Sequence, residues 1–264
     1  HVPPKTGAMS LLHSRSQGSG HPFFILHGFF GMGDNWKSLA NAFSSQYEVH
    51  LIDQRNHGRS FHSEDFSYEH MVEDLVHYMD HYDIPTAIML GHSMGGKTVM
   101  LMSVEYPERV DRMIVADIAP RFYPPHHQFI LEALNEVDFS RVSSRTEIDD
   151  IFKKYIPEYS IRQFLLKNVY RKEPDQLAYR FNLESLEENI HEVGVELPPQ
   201  SVSDVPALFM RGVNSGYVTE QDKTLIRNHF PESTIVDIEG AGHWLHAENP
   251  EDFYKNVVQF LENH

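Results

Sequence analysis

The chain has 264 residues, of which 38 are acidic and 22 are basic, so its formal net charge is −16. A field of that sign repels phosphate backbones and anionic lipid surfaces, which excludes general nucleic-acid binding. Cysteine is absent, which excludes disulfides, thiolate metal sites and a cysteine nucleophile, and no apolar run is long enough for a membrane-spanning helix.

The first eight residues carry no apolar periodicity, and we interpret 1–8 as a leader or cloning remnant that lies outside the fold. This stretch does not have the pattern of a secretion signal, a basic segment followed by an apolar one. The absence of that pattern and of cysteine predicts a cytoplasmic protein.

After this segment, short apolar runs alternate with amphipathic stretches. The runs predict buried parallel strands at 23–26, 49–52, 86–90, 113–116, 207–210 and 234–238. The amphipathic stretches predict helices at 34–44, 68–82, 94–105, 220–229 and 250–262. Residues 10–13 are a further candidate, for an antiparallel strand. The alternation predicts an α/β fold with a mostly parallel central sheet and helices on both of its faces.

The alternation stops between about 120 and 200, where helical patterns occur without a buried strand. Candidate helices there are 128–137, 147–155 and 161–169. We therefore expect one domain whose core is built from 9–119 and 201–264, with 120–200 inserted as a helical lid.

The strongest chemical signal is the sequence GHSMG at 91–95, which fits the pattern G-x-S-x-G. It lies between a predicted strand and a predicted helix, where a sharp turn pushes the oxygen of Ser93 into a cleft. Glycines on both sides let neighbouring backbone pass closely. We predict Ser93 as a nucleophile.

A second signal, HGFFG at 27–31, directly follows the first predicted buried strand. A loop there can aim the amide of Phe29 into the cleft, beside the amide of Met94, which follows the predicted nucleophile. Two fixed N–H groups that face a developing oxyanion are the electrostatic centre of acyl-transfer catalysis. We predict Phe29 and Met94 as an oxyanion hole.

A third signal, GAGHWLH at 240–246, follows the last predicted strand and offers two histidines. A histidine on a glycine-flanked loop at a strand end can reach a serine across the sheet. Because Gly242 makes room for its neighbour, we prefer His243 as the general base, with His246 as the alternative.

The motifs HGFFG, DQRNHGRS, GHSMGG, DIAP and GAGHWLHAENP, in this order, resemble the α/β-hydrolase superfamily. More closely, residues 9–263 resemble the YbfF-type esterases. The resemblance implies an α/β-hydrolase fold and a serine enzyme that hydrolyses carboxylic esters or acyl thioesters through an acyl-enzyme, with no cofactor.

A serine nucleophile and a histidine base need an acid as the third member of a catalytic triad, and several residues could supply it. In the superfamily it commonly lies in the loop after the strand that follows the lid, but here that loop carries Ser215 at the expected position. Asp117 ends a predicted central strand at the same sheet edge as Ser93, and the DIAP motif of the resembling family implies the same placement. Glu220 and Asp222 begin a predicted helix, where acids are favoured for electrostatic reasons. We therefore predict Asp117.

The loop at 53–60 matches a superfamily pattern whose usual role is structural. We expect Asp53 and Arg55 to bind backbone groups, Gly58 to permit a turn, and His57 to take no part in catalysis. Lys97, in the first turn after the nucleophile, is interpreted as structural or solvent-facing, with a contact to the substrate as the alternative.

The predicted lid is rich in aromatic and aliphatic residues, and some of them must face the cleft that it covers. We expect them to favour an apolar acyl group. The candidate substrate-binding residues are Phe30, Phe122, Tyr123, Phe181 and Trp244.

Other functions stay open, because a fold does not fix a reaction. The same triad supports a carbon–carbon bond hydrolase or a haloperoxidase, and the scaffold also suits a non-catalytic small-molecule receptor. A metal-dependent hydrolase is disfavoured, because the 18 histidines show no metal-ligand spacing and His126 and His127 are adjacent. We expect a small-molecule ester as partner, no metal site, and a monomer or weak homo-oligomer.

Overall fold

A central sheet dominates the computed structural model, which describes residues 10–264. The predicted leader at 1–8 lies outside the described residues. Seven strands of the described part form this sheet, in the order β1-β3-β2-β4-β5-β8-β9. The strands are β1 (Ser14–Gln17), β2 (His21–Leu26), β3 (Tyr47–Ile52), β4 (Ala87–His92), β5 (Val110–Ala116), β8 (Ala207–Gly212) and β9 (Ser233–Ile238). All neighbours pair in parallel except β1, which runs antiparallel to β3 at one edge.

Five helices connect these strands or follow them. They are α1 (Lys37–Phe43), α2 (Tyr68–His81), α3 (Met94–Glu105), α9 (Glu220–His229) and α11 (Pro250–Asn263), together with the single turn α10 (Leu245–Glu248). The mostly parallel sheet and its helices, as predicted from the alternating pattern, are confirmed.

The sheet is buried on both faces, because successive side chains of a strand point to opposite sides. In β2, Phe24 and Leu26 join the core formed with α2 and α3, whereas Phe23 and Ile25 join a second core formed with α1 and α11. This double burial explains why the strands are continuous apolar runs without alternation.

The first strand differs from its prediction. The structure places it at Ser14–Gln17, not at 10–13. Leu12 is buried in the core without strand pairing, whereas β1 is polar and largely open to solvent at the sheet edge. The apolar run therefore marked a packing contact, and the strand itself had no apolar signal.

The segment 120–200, called the helical insertion below, contains five helices and a hairpin. The helices are α4 (Gln128–Glu136), α5 (Arg145–Phe152), α6 (Tyr159–Leu166), α7 (Leu183–Glu188) and α8 (Ile190–Val193). The hairpin joins β6 (Val169–Glu173) to β7 (Gln176–Tyr179), and the sequence did not predict it. Three of the five residues of β6 are exposed, so the strand lacks the apolar run of a buried one.

The loop after β3 is fixed by buried polar contacts. Asp53 accepts hydrogen bonds from the amides of Gly33 (2.7 Å) and Arg59 (3.0 Å). Gly58 has φ 53°, which is the left-handed conformation that the expected turn needs. Arg55 binds the Asp65 carbonyl, as expected of a backbone contact, and it also forms a two-pronged ion pair that the sequence did not predict.

That ion pair joins Arg55 on the loop to Asp74 on α2, at 2.7 and 2.8 Å, and both side chains are almost fully buried. We expect Arg55→Met to lower the free energy of unfolding by about 3–5 kcal/mol, because a buried carboxylate is left without its cation. Burial raises the pKa of Asp74 to about 6 even beside Arg55. The unpaired Asp74 carboxyl should therefore be protonated in acid and should lose its proton as the pH rises above about 6. The stability lost in Arg55→Met should then be larger at high pH than at low pH.

Urea denaturation at pH 5.5 and pH 8 measures this effect. The double variant Arg55→Met/Asp74→Leu is the control, because it removes both charges and should recover part of the loss. An equal deficit at both pH values would contradict the explanation.

Candidate active site

Ser93 occupies the sharp turn between β4 and α3. Its backbone has φ 54° and ψ −116°, a conformation that L-residues rarely adopt and that costs of order 1–3 kcal/mol. A Cβ atom on Gly91 would collide with the carbonyl of Gly95, and one on Gly95 would collide with that of Leu26. The two glycines are therefore required for this turn, as the sequence pattern indicates.

The structure brings Ser93, His243 and Asp117 into one hydrogen-bonded line. The Oγ of Ser93 lies 3.0 Å from Nε2 of His243, and Nδ1 of His243 lies 2.8 Å from Oδ2 of Asp117. A carboxylate only accepts, so Nδ1 carries the proton and Nε2 carries the lone pair that can accept from the serine hydroxyl. This arrangement can activate the serine as a nucleophile.

Asp117 is fully buried at the end of β5. Besides His243 it accepts hydrogen bonds from the amide of Gly212 (3.0 Å) and from the hydroxyl of Ser215 (2.6 Å). Three donors can stabilise a carboxylate that is removed from water. Ser215, which occupies the position first considered for the acid, thus holds the carboxylate of Asp117 on the neighbouring strand in place.

The other two candidate acids have different partners. Asp222 pairs with Arg121 at 3.0 Å and closes a capping box with Thr219 at the start of α9. Glu220 is exposed and pairs with Lys223. Neither side chain has a hydrogen bond to His243 among the described residues.

Two further groups hold His243 in position. The ring of Tyr217 stacks on the imidazole, with 3.7 Å between centroids and 14° between planes. Nε2 of His92 donates to the backbone carbonyl of His243 at 2.7 Å, and burial keeps the pKa of His92 well below its usual range, so this donor is neutral. Sequence reasoning missed both residues. His92 lies inside the GHSMG motif, and Tyr217 lies in the same loop as Ser215. No sequence pattern indicates the contact that either residue makes with His243.

The alternative base, His246, lines the same cavity as Ser93 but has no hydrogen bond to it among the described residues. Its ring stacks flat on Trp36, with 3.8 Å between centroids, and burial lowers its pKa to about 3. His57 is also buried, and its Nε2 accepts the amide hydrogen of Phe30 at 3.1 Å. Phe30 has φ 62°, so His57 steadies a strained loop next to Ser93.

The amide of Phe29 lies in the loop after β2, and that of Met94 lies at the first residue of α3, directly after Ser93. Both residues line a small recess that reaches the serine. Within residues 10–264, neither amide N–H has a protein acceptor. They are therefore free to bind an oxygen atom of a substrate.

A cavity of about 740 Å³ opens above Ser93, between the core and the helical insertion. Two of the predicted substrate residues, Phe30 and Trp244, line it, and Tyr123 lines the smaller recess. Phe122 and Phe181 line neither space, which corrects the prediction. Phe122 points outward and is 52% exposed, whereas Phe181 is buried behind Phe30, with 5.1 Å between ring centroids.

Comparisons with known proteins identify the family and the fold. A family model described as the alpha/beta hydrolase fold matches residues 21–139. The chain is 35% identical to the esterase YbfF of Escherichia coli, over 95% of this chain and 96% of that protein.

The chain belongs to the α/β-hydrolase superfamily.

Its resemblance to YbfF-type esterases, expected from the five motifs, is confirmed over almost the whole chain. This α/β-hydrolase is also 34% identical to the sn-1-specific diacylglycerol lipase ABHD11 of Danio rerio, over 93% of this chain and 80% of that protein. Among solved structures, an esterase from a marine microorganism superposes with a TM-score of 0.92 at 42% identity, over 95% of this chain and 99% of that one.

Lys97 connects α3 of this α/β-hydrolase to both ends of the helical insertion. Its buried ammonium group donates to the carbonyls of Arg121 (2.6 Å) at the start of the insertion and of Gly194 (3.3 Å) and Val195 (2.6 Å) near its end. Burial, with the nearby charge of Arg121, lowers the pKa of Lys97 to about 7. These contacts favour a structural role for Lys97. The prediction that Lys97 faces solvent is wrong, because the side chain is buried.

We expect Lys97→Met to loosen the insertion, because both of its ends lose this donor. The cost should be about 1–3 kcal/mol in the free energy of unfolding. Limited proteolysis should cut the segment 120–200 faster, and kcat/KM should fall. Lys97→Arg, which keeps a cation, is the matched control. If the methionine variant were cut at the same rate as the parent protein, Lys97 would not hold the two ends of the insertion.

Two features of residues 10–264 bear on other function classes. In this part of the chain, no three histidine or acidic side chains are arranged to hold a metal ion. The same residues include no helix with the length and apolar character needed to cross a bilayer.

Proposed function

We propose that this α/β-hydrolase is a serine carboxylesterase that cleaves esters, or acyl thioesters, through an acyl-enzyme. The observation that carries the proposal is the continuous hydrogen-bonded line from Asp117 through His243 to Ser93. Two relatives whose names state esterase or diacylglycerol lipase activity support ester bonds as the target.

In the first half-reaction, Oγ of Ser93 attacks the carbonyl carbon while Nε2 of His243 takes its proton. The carbonyl oxygen becomes an oxyanion that accepts from the amides of Phe29 and Met94. Loss of one such donor costs roughly 3–4 kcal/mol of transition-state stabilisation. The imidazolium then protonates the leaving oxygen, and the alcohol departs.

In the second half-reaction, a water molecule attacks the acyl-enzyme and gives its proton to His243. The tetrahedral intermediate expels Ser93, which regains its proton from the same imidazolium. Asp117 stabilises the imidazolium in both halves, and its burial keeps this charge interaction away from water. The helical insertion acts as a lid whose aliphatic and aromatic lining favours a substrate with a large apolar part.

Active-site labelling tests the serine mechanism directly. A fluorophosphonate should attach to one residue, Ser93, and should abolish the hydrolysis of p-nitrophenyl acetate in proportion to labelling. Ser93→Ala should show neither reaction. Absence of labelling in the folded parent protein would favour a non-catalytic receptor.

The remaining alternatives are separated by substrate and by chelation. An esterase should keep its full rate in EDTA, whereas a metal-dependent hydrolase would lose it. Hydrolysis of an ester panel should exceed any cleavage of a carbon–carbon bond in a diketone or any peroxide-dependent halogenation. If either of those reactions were faster than ester hydrolysis, the proposal would be wrong.

A further inference from the structure

Ser93 lies between two spaces of very different size. The large cavity has a volume of about 740 Å³. The recess lined by Phe29 and Met94, called the small pocket below, has a volume of about 30 Å³. Both reach Ser93 and share Phe29 and Tyr217 as common walls. An ester carbonyl bound at Ser93 therefore has two directions in which its substituents can extend.

The position of His243 distinguishes these directions. The tetrahedral carbon carries the serine oxygen, the oxyanion, the leaving oxygen and the acyl carbon. Because His243 must protonate the leaving oxygen, that oxygen lies within hydrogen-bond reach of Nε2. His243 lines the large cavity and does not line the small pocket. The leaving group therefore extends into the large cavity.

The acyl carbon takes the remaining direction, away from His243. On that side the small pocket is lined by Met94, Ile118, Tyr123 and Val193. The pocket has less than a tenth of the volume of the large cavity, so it has room only for a small alkyl group. That is the size of the alkyl part of an acetyl or propanoyl group.

The walls of the small pocket are fixed, so it does not widen readily. The hydroxyl of Tyr123 donates to the carbonyl of Tyr217 (2.6 Å) and accepts from the amide of Ala119 (3.0 Å). Met94 and Ile118 are buried in the core beneath it. An enlarged pocket would have to break these contacts.

The large cavity has the opposite character. Its volume lies within the range of about 300–1,000 Å³ that is usual for small-molecule sites. The insertion contributes a mainly apolar wall, which includes Ile130, Ile161, Phe164 and Leu165. Apolar residues of the insertion, which the sequence analysis expected to favour an apolar acyl group, thus form a wall on the side of the leaving group.

We propose that the small pocket holds the acyl group and the large cavity holds the leaving group. The preferred substrates are then acetyl or propanoyl esters of bulky apolar alcohols. This inference rests on the proposed serine esterase function, because it uses the proton transfer from His243 to the leaving oxygen.

Two isomeric esters test the assignment, because they contain the same atoms with the long chain on opposite sides. Octyl acetate places the chain on the alcohol, and methyl nonanoate places it on the acyl group. We expect kcat/KM for octyl acetate to exceed that for methyl nonanoate by at least tenfold. Equal values, the reverse order, or no hydrolysis of either ester would overturn the assignment.

The hydrolysis of p-nitrophenyl acetate separates this inference from the proposed function. If the parent protein hydrolyses it and Ser93→Ala does not, the esterase function stands whatever the order of the isomers. If the parent protein fails to hydrolyse it and is not labelled by a fluorophosphonate, the failure lies with the proposed function.

A pair of variants tests the pocket itself. Val193→Ala enlarges the small pocket, so the ratio of kcat/KM for octyl butanoate to that for octyl acetate should rise at least fivefold. Ile161→Ala enlarges the large cavity by a similar change and should leave that ratio within twofold. Thermal unfolding of both variants verifies that they are folded. A ratio that responds to Ile161→Ala and not to Val193→Ala would place the acyl group in the large cavity.

Discussion

Ser93→Ala should reduce kcat for ester hydrolysis by about a millionfold, the loss seen when the nucleophile of a serine protease is removed. The remaining groups can still bind the ester and its oxyanion, but no covalent intermediate forms. Folding should be preserved, because Gly91 and Gly95 keep the turn and only one oxygen atom is lost. Pre-steady-state and steady-state hydrolysis of p-nitrophenyl acetate measure the change.

His243→Ala should be nearly as damaging, and the double variant should be little worse than either single one, because the residues act as a unit. His246→Ala is the comparison that distinguishes the two histidines. It removes a buried ring that stacks on Trp36, so it should lower stability more than turnover. Residual activity of Ser93→Ala within tenfold of the parent, or a greater loss of kcat for His246→Ala than for His243→Ala, would refute these roles.

Asp117→Asn should lower kcat by about ten-thousandfold, as the corresponding change does in a serine protease. An asparagine can present its NH₂ group to Nδ1 of His243, which favours the tautomer with its proton on Nε2. That tautomer cannot accept the proton of Ser93. The amide also supplies no charge to stabilise the imidazolium.

Glu220→Gln is the matched control, because it removes one carboxylate from an exposed position, where it pairs with Lys223, and should leave kcat unchanged. Asp222 is less suitable, because it has a structural function: it caps the start of α9, and it pairs with Arg121, a contact that the sequence did not reveal. A loss for Glu220→Gln that matched the loss for Asp117→Asn would argue against Asp117 as the acid.

Local patterns predicted the parts of the fold whose cause is local. The sharp turn at Ser93 needs glycines at fixed spacing, and the buried strands need apolar runs. A short stretch of sequence is therefore enough to predict either one. The strand at Ser14–Gln17 is different. It depends on pairing with β3, which is more than thirty residues away, and its own residues are polar.

Only some of the candidate substrate-binding residues line the two spaces at Ser93, because the direction of a side chain depends on contacts with distant parts of the chain. Aromatic residues of the insertion were expected at the cavity, but the sequence does not show which way each side chain points. Phe122 therefore turned out to be exposed and Phe181 to be buried behind Phe30. The stacking of Tyr217 on His243 is likewise a contact between two distant loops that no periodicity reveals.

The contacts of Lys97 have a consequence for the divergence of this enzyme. The ammonium group donates its hydrogen bonds to main-chain carbonyl oxygens of the insertion, which every amino acid supplies, and it also lies 4.9 Å from the ring centroid of Tyr123. Many side chains of the insertion can therefore be exchanged without loss of these hydrogen bonds. New lining residues, and with them new substrates, become accessible through single substitutions while the catalytic core is left untouched.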